Sequence, residues 1–172
     1  MANTVAFIRG INVGGNKMLP MAELKAACES AGLTNVRTFL QSGNVLFDTT
    51  KKDPASLIRK ALDLDVKVIT RTVDELRKVI DKNPFKGDRN PSLLIVMFLE
   101  DTPSKEAKAA LQTAHAGPEE LHFAGRELFI YYPNGAGRSK LTNAVIERKL
   151  GMSGTARNWN TVTKLLAMAV TA

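Results

Sequence analysis

Metal and redox chemistry have little to draw on in this sequence: 172 residues hold one cysteine, Cys28, and two histidines, His115 and His122. A lone cysteine excludes an intrachain disulfide framework and points to a reducing, cytoplasmic setting. One cysteine and two separated histidines offer no metal-ligand spacing, so no metal and no cofactor is expected. Long apolar runs are also lacking. The longest, Leu93–Leu99, falls well short of the about 18 residues of a membrane-spanning helix and suits a buried strand. The chain opens without a basic stretch, apolar region and cleavage site, so no secretory signal is expected. Gly-x-Ser-x-Gly, the phosphate-loop Gly-Lys-Ser/Thr and the dinucleotide fingerprint are absent.

What is present describes an ordinary globular chain. Apolar residues make up 44% of it, too many for disorder. The net charge is +7, and it is unevenly placed. From Leu128 onward there are six basic residues, Arg138, Lys140, Arg148, Lys149, Arg157 and Lys164, against one acid, Glu147. Such a local excess favours an anionic partner; it also serves simply to keep a protein in solution.

Hydrophobic periodicity divides the chain into two runs of similar elements. Strand patterns cover Thr4–Ile11, Val36–Leu40, Asn44–Asp48 and Val66–Arg71. Helical patterns follow Pro20, and Asp53 and Thr72 stand at helix starts. Residues 84–91, with Gly87 and two prolines nearby, read as a linker between an N-terminal unit, 1–83, and a C-terminal unit, 92–172. The order then begins again, with strands at Ser92–Glu100, Leu121–Phe123, Glu127–Tyr132 and Thr155–Trp159 and helices at Ser104–Ala114 and Ser139–Leu150. A trailing helix capped by Asn160 or Thr161 opens like its counterpart, Thr161-Val162-x-x-Leu165 against Thr72-Val73-x-x-Leu76. The expected fold class is therefore α+β: two ferredoxin-like (α-β plait) β-α-β-β-α-β units in tandem, each followed by a helix.

That topology selects where polar residues gather. In the first unit it places the loop Asn12, Gly14, Gly15 and Lys17 beside the hairpin turn Gln41, Ser42 and Asn44, with Arg9 close by. Glycines allow backbone N–H groups to line a concavity, and the two cations complete an anion site; a flexible turn beside a tight hairpin is the plainer account. In the second unit the strands ending near Tyr132 and Trp159 run to one end. The turn Gly135, Gly137, Arg138, Ser139 and Lys140 is then expected beside Arg157, Asn158, Trp159 and Asn160. Guanidinium groups, a helix start and an indole ring suit phosphate and a base; alternatively Ser139 is only a cap and Trp159 only core. The apolar spacing of Met21, Leu24 and Cys28 makes Cys28 a core residue. Glu119 and Glu120 look like solvated or capping carboxylates. RNA-recognition units of this strand order stack bases on aromatics where this chain has Ser42 and Asn44, so a standard unit of that kind is not expected.

Three stretches carry a resemblance: Phe7–Gly15, Gln41–Val45, and Gly137–Leu141 with Thr155–Val162. Over essentially the whole chain they resemble a bacterial family known as domain of unknown function 1697. The resemblance implies two ferredoxin-like units and brings no established reaction or catalytic residue.

The residues themselves favour a non-metal protein that binds a phosphate-bearing ligand, either nucleotide or nucleic acid. A small-molecule enzyme with its site between the units, or a structural or protein-interaction module, are the alternatives. No membrane partner is expected, and the sequence leaves the oligomeric state open.

Overall fold

The computed structural model describes residues 2–12, 18–40, 42–87 and 89–171. Two compact units emerge from the chain's own contacts: Met1–Arg77 together with Lys164–Ala172, and Lys78–Thr163.

In the first unit the elements are β1 (Thr4–Arg9), α1 (Met21–Ser30), β2 (Thr34–Phe39), β3 (Asn44–Asp48), α2 (Pro54–Leu62) and β4 (Lys67–Thr72), followed by α3 (Val73–Asp81). The sheet order is β2-β3-β1-β4, with every neighbouring pair antiparallel. β1 is short and rich in β-branched and aromatic residues, which suits a central strand. Alternate residues serve different faces. Ala6 and Ile8 join Val45, Phe47, Leu24, Cys28 and Ile58 in one core, while Val5, Phe7 and Leu46, on the opposite face, are equally buried.

Local chemistry sets the ends of these elements. Asp53 accepts the Ser56 N–H at 3.1 Å and starts α2. Thr72 and Glu75 form a reciprocal capping box: Thr72 Oγ1 accepts the Glu75 N–H at 3.1 Å, and Glu75 Oε2 accepts the Thr72 N–H at 2.8 Å. The β2–β3 turn folds against the end of β1, where the Ile8 N–H donates to the Gly43 carbonyl at 2.8 Å. Gly43 is required twice over. Its φ is +90°, and a Cβ there would stand 2.8 Å from Ile11 Cδ1.

The second unit repeats the plan with β5 (Leu94–Leu99), α4 (Lys105–Ala114), β6 (Glu120–Ala124), β7 (Glu127–Tyr131), α5 (Asn143–Leu150) and β8 (Gly154–Asn158). Its antiparallel sheet has the matching order β6-β7-β5-β8. Met97, Leu99, Leu111, Leu128, Ile130 and Ile146 form its core with Tyr132 and Leu141. The last helix, α6, spans Trp159–Val170.

Strand ends differ from those read in the sequence by one or two residues, and two helix starts differ in ways that bear on the site. The helix expected from Ser139 begins only at Asn143, with Thr142 as its cap. Residues 139–141 stay out of the helix because Leu141 is drawn into the core and its carbonyl accepts the Tyr132 hydroxyl at 2.9 Å. Trp159, expected to end a strand, is instead the first residue of α6, and the cap is neither Asn160 nor Thr161. Asn158 fills that role, its side-chain oxygen accepting the Asn160 N–H at 2.9 Å.

Among the described residues, no helix is long and apolar enough to cross a membrane. The same residues include no group of three His, Cys, Asp or Glu placed to hold a metal ion.

Candidate functional site

A cavity of about 550 Å³ opens in the second unit. It lies where two connections meet. One leaves α4 at Ala114 and turns through 116–118 into β6. The other leaves β7 and passes through a short 3-10 turn, Ala136–Arg138, to α5. Leu111, Tyr132 and Leu141 give the cavity an apolar, buried lining, whereas Arg138, Lys140 and Lys149 are exposed at its edge. An apolar hollow with a few convergent polar groups is the usual form of a small-molecule site.

One acid lines the cavity, Glu119, and only 8% of its side chain is exposed. The Ser139 hydroxyl donates to its Oε1, and Ser139 Oγ in turn accepts the Leu141 N–H at 3.0 Å. Oε2 is buried and has no hydrogen-bond partner. His115 Nε2 lies 2.9 Å from the Glu119 carbonyl oxygen but 3.7 Å from Oε2, beyond hydrogen-bond range. The serine hydrogen bond, helped by the peptide N–H of Glu119 and by His115, holds the carboxyl below its ordinary range against the opposing effect of burial. Burial pushes the Tyr132 phenol up to about 12, with the Glu119 charge adding to the effect.

The cavity gathers Gly135, Arg138, Ser139 and Lys140 from the expected cluster, but none of Arg157, Asn158, Trp159 or Asn160. This corrects the convergence inferred from chain order. The two strand ends do share one end of the sheet, but Arg157 and Tyr132 leave it on opposite faces. Arg157 pairs with Val96, which pairs with Phe129, whereas Tyr132 belongs with Met97 and Leu128 in the helix-side core. Arg157 is buried, and its Nη1 donates to Thr155 Oγ1 at 2.6 Å and to the Ala156 carbonyl at 2.9 Å. Burial pulls its guanidinium down to about 10, so it remains charged at neutral pH. Asn158 donates to the Ser92 carbonyl at 2.9 Å as well as capping α6. The half-buried Trp159 ring lies 6.4 Å from Phe129 and lines a separate hollow with Phe85, Lys86 and Arg89.

In the first unit, Gly14, Gly15, Lys17 and Gln41 lie outside the described residues. Asn12 donates to the Leu19 carbonyl at 2.9 Å and accepts the Leu19 N–H at 2.7 Å. Asn44 is fully buried and donates to the Phe39 carbonyl at 2.8 Å and to Ser42 Oγ at 3.2 Å. Arg9 is half-buried at the end of β1.

The expectation that Glu119 is a solvated or capping residue is also corrected, since it lines the cavity with its side chain buried. Glu120 is the exposed carboxylate expected, paired with the Arg89 guanidinium. Only the short spacing His115-x-x-x-Glu119 hints at this in the sequence, since Ser139 arrives from a distant segment.

The fold and the cavity define the class: an α+β protein of two ferredoxin-like units, the second carrying a polar-edged pocket. Residues 1–129 match the family described as Protein of unknown function (DUF1697), and the chain belongs to that family. The C-terminal stretches that carry part of the resemblance, Gly137–Leu141 and Thr155–Val162, lie beyond the matched segment. The conserved bacterial protein SP0830 from Streptococcus pneumoniae has the same fold, with a TM-score of 0.78 at 18% identity over 98% of each chain. No curated protein matches the chain.

Proposed function

We propose that the cavity of the second unit binds a phosphate-bearing small molecule, of which a nucleotide is one kind. The observation that carries this reading is the set of three cations, Arg138, Lys140 and Lys149, at the edge of a hollow whose one acid, Glu119, is buried and whose lining is otherwise largely apolar. A guanidinium and two ammonium groups suit the several oxygens of a phosphate, and the apolar lining suits the rest of a ligand. The hollow's concavity favours a small molecule over a nucleic acid, which would track an open basic groove. Buried Cys28 suits a reducing, cytoplasmic location.

A thermal-shift screen of nucleotides, sugar phosphates and oligonucleotides tests the proposal. A small-molecule binder supplied at about 100 times its dissociation constant should add about 2.7 kcal/mol of stability. The double variant Arg138→Ala, Lys140→Ala should lose that gain. A gain that survives the double variant, or one given only by oligonucleotides, would reject this site.

A further inference from the structure

Glu119 presents a problem that the three cations do not solve. Its side chain is more than nine-tenths buried in the lining of the cavity. Oε1 is satisfied by Ser139, but Oε2 accepts nothing. An ionised oxygen taken out of water without a donor is costly, and such a group normally has a partner. The protein places no donor within range of it, since His115 Nε2 is 3.7 Å away. Gly117 lies directly over this oxygen, and the position its Cβ would take collides with Oε2. The turn therefore covers the oxygen with backbone alone and has no side chain that could bond to it.

We propose that the ligand itself supplies the missing donor. Resting on the phosphate reading above, the site then has two points of recognition. Arg138 and Lys140 hold the phosphate, and Glu119 Oε2 accepts a hydrogen bond from a hydroxyl or amino group elsewhere on the same molecule as the 116–118 turn yields to it. The ligand class is thus a phosphate ester that carries O–H or N–H donors, as a sugar phosphate or nucleotide does. Inorganic phosphate and a simple aryl phosphate lack the second point.

The test is calorimetric titration of the full chain with ribose 5-phosphate, adenosine monophosphate, phenyl phosphate and inorganic phosphate. At least one of the first two should bind about tenfold or more tightly than the last two, as a hydrogen bond to a charged acceptor warrants. Which one does so separates a sugar phosphate from a nucleotide. Glu119→Gln, which keeps an acceptor for Ser139, should erase the advantage while inorganic phosphate binds at least as tightly as to the native chain, since an anion has been removed from the cavity. Glu119→Asp, which retracts the carboxylate but keeps its charge, should also erase the advantage. Retained inorganic phosphate binding shows that either variant is folded. If the advantage survives in both variants while Arg138→Ala, Lys140→Ala still abolishes binding, the role of Glu119 is overturned and the phosphate site stands. If no phosphate compound binds the native chain, both fall.

Discussion

Cys28 and Tyr132 show how residue-scale burial becomes a property of the whole chain. Burial, with a smaller contribution from Glu29, raises the Cys28 thiol from 9.0 to about 12. The Tyr132 phenol rises from 10.0 to about 12. In both cases the folded state keeps a proton that the unfolded state loses first. The stabilisation is therefore complete below pH 9.0 and falls as pH rises toward about 12. Melting temperature should drop across that alkaline window, and the drop should be smaller in Cys28→Ala. Equal drops in the two proteins would show that the thiol contributes nothing. The core position of Cys28 was legible from its helical spacing with Met21 and Leu24. The burial of Glu119 was not, because the sequence neighbours of a carboxylate do not tell whether a segment 20 residues away will cover it.

At the scale of elements, two caps were read correctly from local chemistry: Asp53 and Thr72 each accept a backbone N–H at a helix start. The cap of α6 was placed at Asn160 or Thr161 and is Asn158. The start of α5 was misplaced because two hydroxyl residues, Ser139 and Thr142, both suit a cap, and the choice between them is made by the core. Leu141 must reach inward, so the helix waits for Thr142. Thr142→Ala should accordingly cost about 1 kcal/mol in chemical denaturation. The absence of any cost would place the helix start elsewhere. Ser139 is left to bridge Glu119 and the Leu141 N–H. A residue read as part of a helix terminus thus becomes part of the cavity.

For the whole molecule, the repetition extends to the fourth strand of each unit. β4 and β8 both carry a buried arginine, Arg71 and Arg157, whose Nη1 donates to the preceding carbonyl at 2.9 Å. The first unit also uses the far end of the chain. The Ala2 N–H donates to the Ala169 carbonyl at 3.0 Å, and Arg37 Nη2 donates to the Met168 carbonyl at 2.6 Å. A fragment of residues 1–83 lacks both acceptors and the apolar residues around them. It should show faster amide exchange and a lower melting temperature than the same residues in the full chain, and adding a 164–172 peptide should restore part of the loss. Full-chain protection in the fragment alone would mean that the terminal segment is dispensable.

Composition and periodicity by themselves determined the element order, the repeat, the two ferredoxin-like sheets and the basic C-terminal segment, because each follows from short-range pattern and elementary sterics. Only the tertiary structure decided which polar residues share a cavity. Chain order tells which end of a sheet a loop reaches. The face on which a side chain emerges depends on strand register, and Arg157, paired with Val96, emerges on the face opposite Tyr132, which lines the cavity.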